Sequence, residues 1–462
     1  MGDAYPIEPV SVPKVKTEWR TIQTPIPHPE SVPTLQKLRE VEPWCMEGQP
    51  PIVWDRGEGA SVFDAYGNKW IDFSSGVLIT NAGHGRREMI DAVAQQAQHG
   101  LLTSYCFPNP ARVELTEMLQ KQAPRPDDKV MLLSTGSEAV ELSIKLSREH
   151  ARRIGKKNPV LVSFSNAFHG RTMGSQLAGG IPGLKEWIGY PDEHFVNVAF
   201  PDGGVRCTPE ENEFRAFEAA LARQGVSPDR VCGVLSETYQ GGNSSFAPPA
   251  YIQALRKWCD RHQAVLTMDE VQAGFGRTGT FWGFEHYGIV PDLIACGKGI
   301  TGSLPLSAVI GRKDLMDQFP PGSMTSTHSG NPICCAAAVA SLKLILKENL
   351  PERAARLGEV MQPICARIQK RFADVIIAHH GKGLVASLHC VKKGTREPDG
   401  KVAWRVVGRA VQGGVMMFAP VGFAGASVKL CPPLVIEEAA LREGLQVIEE
   451  SFAHELEPGR RA

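Results

Sequence analysis

The sequence predicts an α/β protein with a mostly parallel sheet in a large domain and a smaller α+β domain. Three observations lead there. Between about residues 75 and 330, short Val/Leu/Ile runs alternate with longer amphipathic segments, as parallel strands do when helices cover both faces of their sheet. From about residue 333 the pattern changes to helices around a few short strands. The 462 residues also exceed what one hydrophobic core usually serves.

The elements follow in order. Prolines crowd the start of the chain (Pro6, Pro9, Pro13, Pro25, Pro27, Pro29, Pro33, Pro43, Pro50, Pro51), which forbids a long helix and predicts an extended arm over residues 1–50. Such an arm gains order by lying on another surface, for instance a second subunit. Residues 51–75 are expected to begin the small domain, 76–332 to form the large domain and 333–462 to complete the small one. Strand candidates in the large domain are 130–134, 160–163, 232–236, 264–268, 292–296 and 306–310, with amphipathic helices at 137–153 and 251–261 among them. The C-terminal part shows helices at 333–348, 351–372, 402–412 and 436–453, and strands at 384–391, 415–418 and 428–431.

Composition narrows the partners. Lys plus Arg equals Asp plus Glu at 50 each, which argues against nucleic acid or an anionic membrane. No apolar run approaches the roughly 20 residues of a membrane span, and residues 1–18 lack the apolar stretch of a signal peptide, so a cytoplasmic protein is expected. Eleven cysteines without a C-x-x-C pair look like scattered thiols, with Cys334 and Cys335 as packing residues in an Ala-rich helix.

In an open α/β sheet, ligands bind just past the carboxyl ends of the strands. Four motifs lie there. Ser134-Thr135-Gly136-Ser137-Glu138-Ala139 follows a strand and opens a helix; its N–H groups and the Ser137 hydroxyl suit a phosphate, although taken alone the motif is better explained by an ordinary turn with a serine cap and a Glu following it. Asp269 and Glu270 end an apolar strand, where a carboxylate is costly unless it meets a cation. A protonated pyridine nitrogen would serve, and so would an ion pair with Arg277. Lys298 stands between Gly297 and Gly299 after the next strand candidate, so that it and Asp269 could reach opposite ends of one ring. Phe168 and His169 follow a further strand, where Phe168 could stack on a flat ring or belong to the core. A loop at 325–332 adds hydroxyls suited to a turn or to a phosphate contact.

Together these segments resemble the class III aminotransferases. Ser-Thr-Gly-Ser-Glu-Ala at 134–139, Phe-His-Gly-Arg-Thr at 168–172, Asp-Glu-Val-Gln-x-Gly-Phe-Gly-Arg-Thr-Gly at 269–279, Gly-Lys-Gly at 297–299 and Thr-His-Ser-Gly-Asn-Pro at 327–332 stand in that family's order and spacing, and the likeness runs from about residue 45 to 455. The resemblance implies the fold type I aminotransferase architecture with a seven-stranded large domain, pyridoxal 5'-phosphate (PLP) as cofactor, and a homodimer with shared active sites, a tetramer being the alternative. It implies that Lys298 carries the cofactor as a Schiff base and shuttles a proton. Asp269 would pair with the pyridine nitrogen, Gln272 with the ring's phenolic oxygen, and Phe168 would stack on the ring beside His169. Gly136 and Ser137 would hold the phosphate, joined by Thr327 of the other subunit, and Glu237 would organise the pocket.

The implied reaction is ping-pong transfer of an amino group from an ω-amino acid or related amine to a 2-oxo acid. Racemisation, epimerisation or decarboxylation on the same scaffold is the alternative. Two departures touch the substrate. The ornithine and 4-aminobutyrate branches carry a Glu where this chain has Gly242, and an arginine where it has Lys429, which offers a carboxylate a point charge in place of a two-pronged contact. Two readings of other classes fit less well. An inert scaffold would not need both Lys298 and Asp269, and a nucleotide enzyme would need a Walker-type or G-x-G-x-x-G loop that the turn after Leu133 lacks.

Overall fold

A computed structural model describes residues 4–457. The chain folds into two compact units. One comprises Arg87–Gly241 with Ser245–Pro351; the other takes in the chain before Arg87, the short span Gly242–Ser244 and the chain from Glu352 on.

The first of these units is built on a seven-stranded sheet. Its strands in chain order are β1 (Lys129–Leu133), β2 (Val160–Phe164), β3 (Phe195–Val198), β4 (Val231–Glu237), β5 (Val265–Asp269), β6 (Leu293–Cys296) and β7 (Ser307–Gly311). They lie in the order β1-β7-β6-β5-β4-β2-β3. Only β7 is reversed, running antiparallel to both β6 and β1. The five apolar runs from β2 and β4 to β7 are buried along their whole length, as strands covered on both faces must be. The sequence reading did not include β3. That strand is short, lies at the sheet edge and alternates buried with half-buried positions around Asn197, so it presents no continuous run.

Helix Gly136–Arg153 lies against this sheet. Leu142 and Leu146 pack with Val265, Leu293 and Val309, while Val140 and Ile144 pack with Leu161, Cys232 and Leu235. Gly233 on β4 lets the helix come close, because a Cβ there would lie 3.0 Å from Ser147 Oγ. The helix start is therefore fixed directly after β1.

The second unit holds two sheets. Short strands Val15–Lys16 and Thr21–Ile22 join Lys69–Asp72, Ser61–Phe63 and Arg56–Glu58, and Val415–Met416 pairs parallel with Lys69–Asp72. Part of the proline-rich start thus lies on a sheet of its own unit, around a core of Ile22, Ile26, Val62, Trp70 and Met416. It also contains a ten-residue helix, Val32–Val41, with Pro33 in the first turn, where a missing N–H costs nothing. The other sheet is antiparallel: Ile376–Lys382, Val385–Cys390 and Ser427–Leu430. All eleven cysteines are free thiols. Among the described residues no helix is long and apolar enough to cross a membrane.

Candidate active site

The strands of the seven-stranded sheet bring their carboxyl ends together, and the residues singled out by sequence stand there. Asp269 ends β5 in register with Glu237, the last residue of β4, and with Ala295 of β6. Lys298 follows β6 by two residues, in a short 3-10 turn with φ of +43°, a left-handed value uncommon for a side-chain-bearing residue. Such strain persists only where the surroundings impose it, and it collects at functional sites. His169 follows β2, and its Nδ1 lies 2.8 Å from Asp269 Oδ2.

The electrostatics follow from burial. Asp269 is 6% exposed and is met by His169 and by the N–H of Val271, 3.0 Å from Oδ1; the ion pair with Arg277 that the sequence also allowed is not among its contacts. Burial pushes the Glu237 carboxyl up to about 7, opposed by nearby His169 and reinforced by the negative charge of Asp269. Its oxygens accept the N–H groups of Phe168 (3.1 Å) and Gly241 (2.9 Å). Lys298 keeps part of its surface open, yet protein encloses it closely enough that burial lowers its ammonium pKa, against the opposing pull of Asp269 and Glu237. A lysine so held gives up its proton more readily and can act as nucleophile or base.

Next to this cluster lies the turn after β1. Thr135 caps the helix by accepting the Glu138 N–H (3.2 Å), and Glu138 accepts those of Ser134 and Thr135 (2.8 and 2.9 Å). Thr135, not Ser137, is thus the cap, and Ser137 Oγ instead accepts the Arg171 N–H at 3.1 Å. The capped-turn reading is correct as far as it goes. It leaves the N–H groups of Gly136 and Ser137 at the first turn, where no intrahelical acceptor exists. A Cβ on Gly136 would lie 2.9 Å from Val271 Cγ1, so glycine keeps this cradle open. A Cβ on Gly297 would lie 3.6 Å from Gly136 Cα, which sets the lysine loop directly beside the cradle.

The remaining residues fall as follows. Phe168 is half-buried, one residue before His169. Gln272 lies next to Glu237, for a Cβ on Gly241 would come within 2.3 Å of the Gln272 amide nitrogen and 2.8 Å of Glu237 Oε1. Thr327 is exposed on the turn before helix Pro332–Lys347. Lys429 belongs to the other unit, where it is 2% exposed on Ser427–Leu430 opposite Ser387. Sequence reasoning missed the His169–Asp269 bond, since 100 positions separate the two, and it assigned nothing to Glu270. Strand alternation carried a signal for the latter, because Glu270 must point away from Asp269.

This arrangement fits PLP on its own terms. His169 Nε2 is buried with no hydrogen-bond partner, the cradle at Gly136 offers donors suited to a phosphate, and a buried carboxylate faces the same space as a lysine of lowered pKa. Those are the complements of an anionic, cationic and aldehyde-bearing ring.

The comparisons agree. The class-III aminotransferase family matches residues 45–452. The 4-aminobutyrate aminotransferase of Escherichia coli is 32% identical over 411 residues, covering 87% of this chain and 93% of that protein. The 5-aminovalerate aminotransferase of Pseudomonas putida is 32% identical over 409 residues, covering 87% and 94%. Among solved structures, ornithine aminotransferase from Toxoplasma gondii superposes with a TM-score of 0.82 at 26% identity, covering 93% of this chain and 96% of the other. A PLP-bound amine transaminase from an uncultivated Pseudomonas species gives 0.79 at 28%, covering 87% and 94%. These relatives favour amino transfer over racemisation, epimerisation or decarboxylation. With its mostly parallel seven-stranded sheet and its lysine, carboxylates and cradle at adjacent strand ends, the chain belongs to the class III aminotransferases, PLP-dependent enzymes of fold type I.

Proposed function

We propose that this aminotransferase takes its amino group from an ω-amino acid or related amine and delivers it to a 2-oxo acid in two alternating half-reactions at one site. The observation that carries the reading is the convergence of Lys298, Asp269, Glu237 and His169 on adjacent strand ends beside the Gly136 cradle. Relatives named for 4-aminobutyrate, 5-aminovalerate and acetylornithine support the donor class.

PLP, when bound, supplies the electron sink and carries the amino group between half-reactions. The chain's own residues do the rest. Lys298 binds the cofactor and moves a proton at its Nζ, a task suited to its lowered pKa. Asp269, steadied by His169, would hold the ring nitrogen protonated, because an adjacent negative charge raises the pKa of a cation. Phe168 would stack on the ring, Gln272 would contact its phenolic oxygen, and Gly136 and Ser137 would hold the phosphate together with a Thr327 contributed by a second copy. The exposed apolar side chains of Leu101, Leu102, Tyr105 and Phe107 support a homodimer, which would cover them. We place the enzyme in the cytoplasm.

Lys429 is assigned to the carboxylate of acidic substrates. A lysine ammonium attracts an anion without the geometric selection of a guanidinium, so the choice of acceptor should be relaxed. Purified protein given a panel of amines with pyruvate or 2-oxoglutarate tests the reading, with keto acid formation and loss of optical activity both followed. Lys298→Ala should end turnover while leaving folded protein. Lys429→Ala should weaken acidic substrates and spare neutral amines. An unchanged kcat/KM ratio between an acidic and a neutral donor would remove Lys429 from the substrate site.

A further inference from the structure

Behind the carboxylates that face Lys298 lies a second layer of buried polar groups. Glu237 and Asp269 are register partners at the ends of β4 and β5, and the residues that follow them, Thr238 and Glu270, are both fully buried. Strand alternation turns these two away from Lys298. There the Thr238 hydroxyl donates to Glu270 Oε1. The same carboxylate accepts the N–H groups of Gly283 (2.7 Å) and Phe284 (2.8 Å), which open the short helix Gly283–Tyr287. From the far end of that helix the Tyr287 hydroxyl donates to the Thr238 carbonyl at 2.5 Å, and the Thr238 N–H reaches the Asp269 carbonyl at 3.3 Å. Gly283 leaves no room for a side chain, since a Cβ there would lie 2.8 Å from Thr238 Cγ2.

We propose that Thr238, Glu270 and Tyr287 are positioning residues that staple the ends of β4 and β5 and so fix where the Glu237 and Asp269 carboxylates stand relative to Lys298. The inference rests on the roles given above to those three residues. Each member of the staple meets a partner on another segment, and past the last pair Asp269↔Glu237 the two strand ends are joined along the backbone by the long Thr238 N–H to Asp269 carbonyl bond of 3.3 Å, which the side-chain bonds reinforce. Burial pushes the Glu270 carboxyl up to about 7, opposed by the hydrogen bonds it accepts from Thr238, Gly283 and Phe284. Asp269 and Glu237 are the charges that hold the Lys298 pKa up, and slackening them lowers it.

The first readout uses holoenzyme without substrate, so it does not depend on the donor assignment; the second, kcat against KM, uses whichever amine the wild-type enzyme turns over. The pH midpoint of the visible band reports the protonation of the Lys298 nitrogen. Thr238→Val, which keeps the branched shape and removes the donor, should lower that midpoint by about half a pH unit or more and reduce kcat more than it changes KM. Thr238→Ser should restore both. Tyr287→Phe removes the bond to the Thr238 carbonyl, and with it the one the hydroxyl accepts from the Ala247 N–H (3.2 Å), without removing a donor to Glu270, and should shift the midpoint the same way by less; it keeps the test open if the valine variant does not fold. A midpoint equal to wild type in Thr238→Val or in Tyr287→Phe, even with a lowered melting temperature, would overturn the proposal, as would a serine variant that behaves like valine.

Discussion

Glu237→Gln is the substitution whose effect can be worked most directly from the structure. The carboxyl is 5% exposed, and burial raises it from an ordinary 4.5 to about 7. At about 1.4 kcal/mol per pH unit, a rise of that size corresponds to roughly 3 kcal/mol. The folded state binds this proton more tightly than the unfolded chain does. The stabilisation is therefore fully present below pH 4.5 and is lost as pH rises through about 7. Glutamine has no proton to lose, so its contribution stays flat over the same interval. Its amide nitrogen must face one of the N–H groups of Phe168 and Gly241, which costs about 1–3 kcal/mol at every pH. The variant should accordingly be less stable than wild type at pH 5 and close to it at pH 8. Glu270 also titrates near 7, but it does so in both proteins and cancels in the difference. Melting temperatures of the cofactor-free proteins from pH 5 to 8 measure this. A difference between the two that does not change with pH would refute the burial argument.

Three further outcomes are expected. Asp269→Asn should keep near-normal cofactor occupancy, read from visible absorbance, while kcat falls by several orders of magnitude, because the charge matters most in the transition state; equal loss of both would make Asp269 structural. Gly136→Ala places a methyl group 2.9 Å from Val271 Cγ1 and should raise the Kd for PLP, with Val271→Ala in the same chain restoring it. Failure of that pairing to restore binding would mean that the cradle is not limited by Val271. Gly242→Glu, which reinstates the acid of the ornithine and 4-aminobutyrate branches, puts a Cβ 2.7 Å from Gly422 Cα and should lower the melting temperature. A variant as stable as wild type would show that the two backbones can separate.

The sheet was legible in the sequence wherever its strands are buried on both faces. The runs at 160–163, 232–236 and 264–268 fall within β2, β4 and β5 or one residue before them, because continuous apolar stretches between turn signals admit few other readings. β3 escaped, since an edge strand has an open side and needs no such run. The two-residue strands at Val15–Lys16 and Thr21–Ile22 escaped for a different reason: they pair with each other over too few residues to show a pattern, and Thr21 alone reaches across the sequence to Lys69. At the site, Lys298 and Asp269 were legible because a glycine-flanked lysine and a strand-terminal acid are each costly without a purpose. The Thr238–Glu270 and His169–Asp269 bonds were not, because each joins separate strand ends and depends on sheet order.

The reversed strand β7 has a consequence for how the protein is made. β1 lies at the sheet edge, and its one neighbour there is β7, tied also through the Ser307 hydroxyl to the Thr135 carbonyl across 172 positions of sequence. A ribosome that has just released Ile300 has already delivered the lysine, the carboxylates and the cradle residues, yet β1 still has no partner and β6 one bare flank. Until Gly311 emerges, the nascent chain carries exposed strand edges open to pairing with other chains. The cofactor cradle, anchored on β1, takes its place beside Lys298 only when β7 slides between them. A chain stalled before Ser307 is thus expected to aggregate rather than to catalyse slowly.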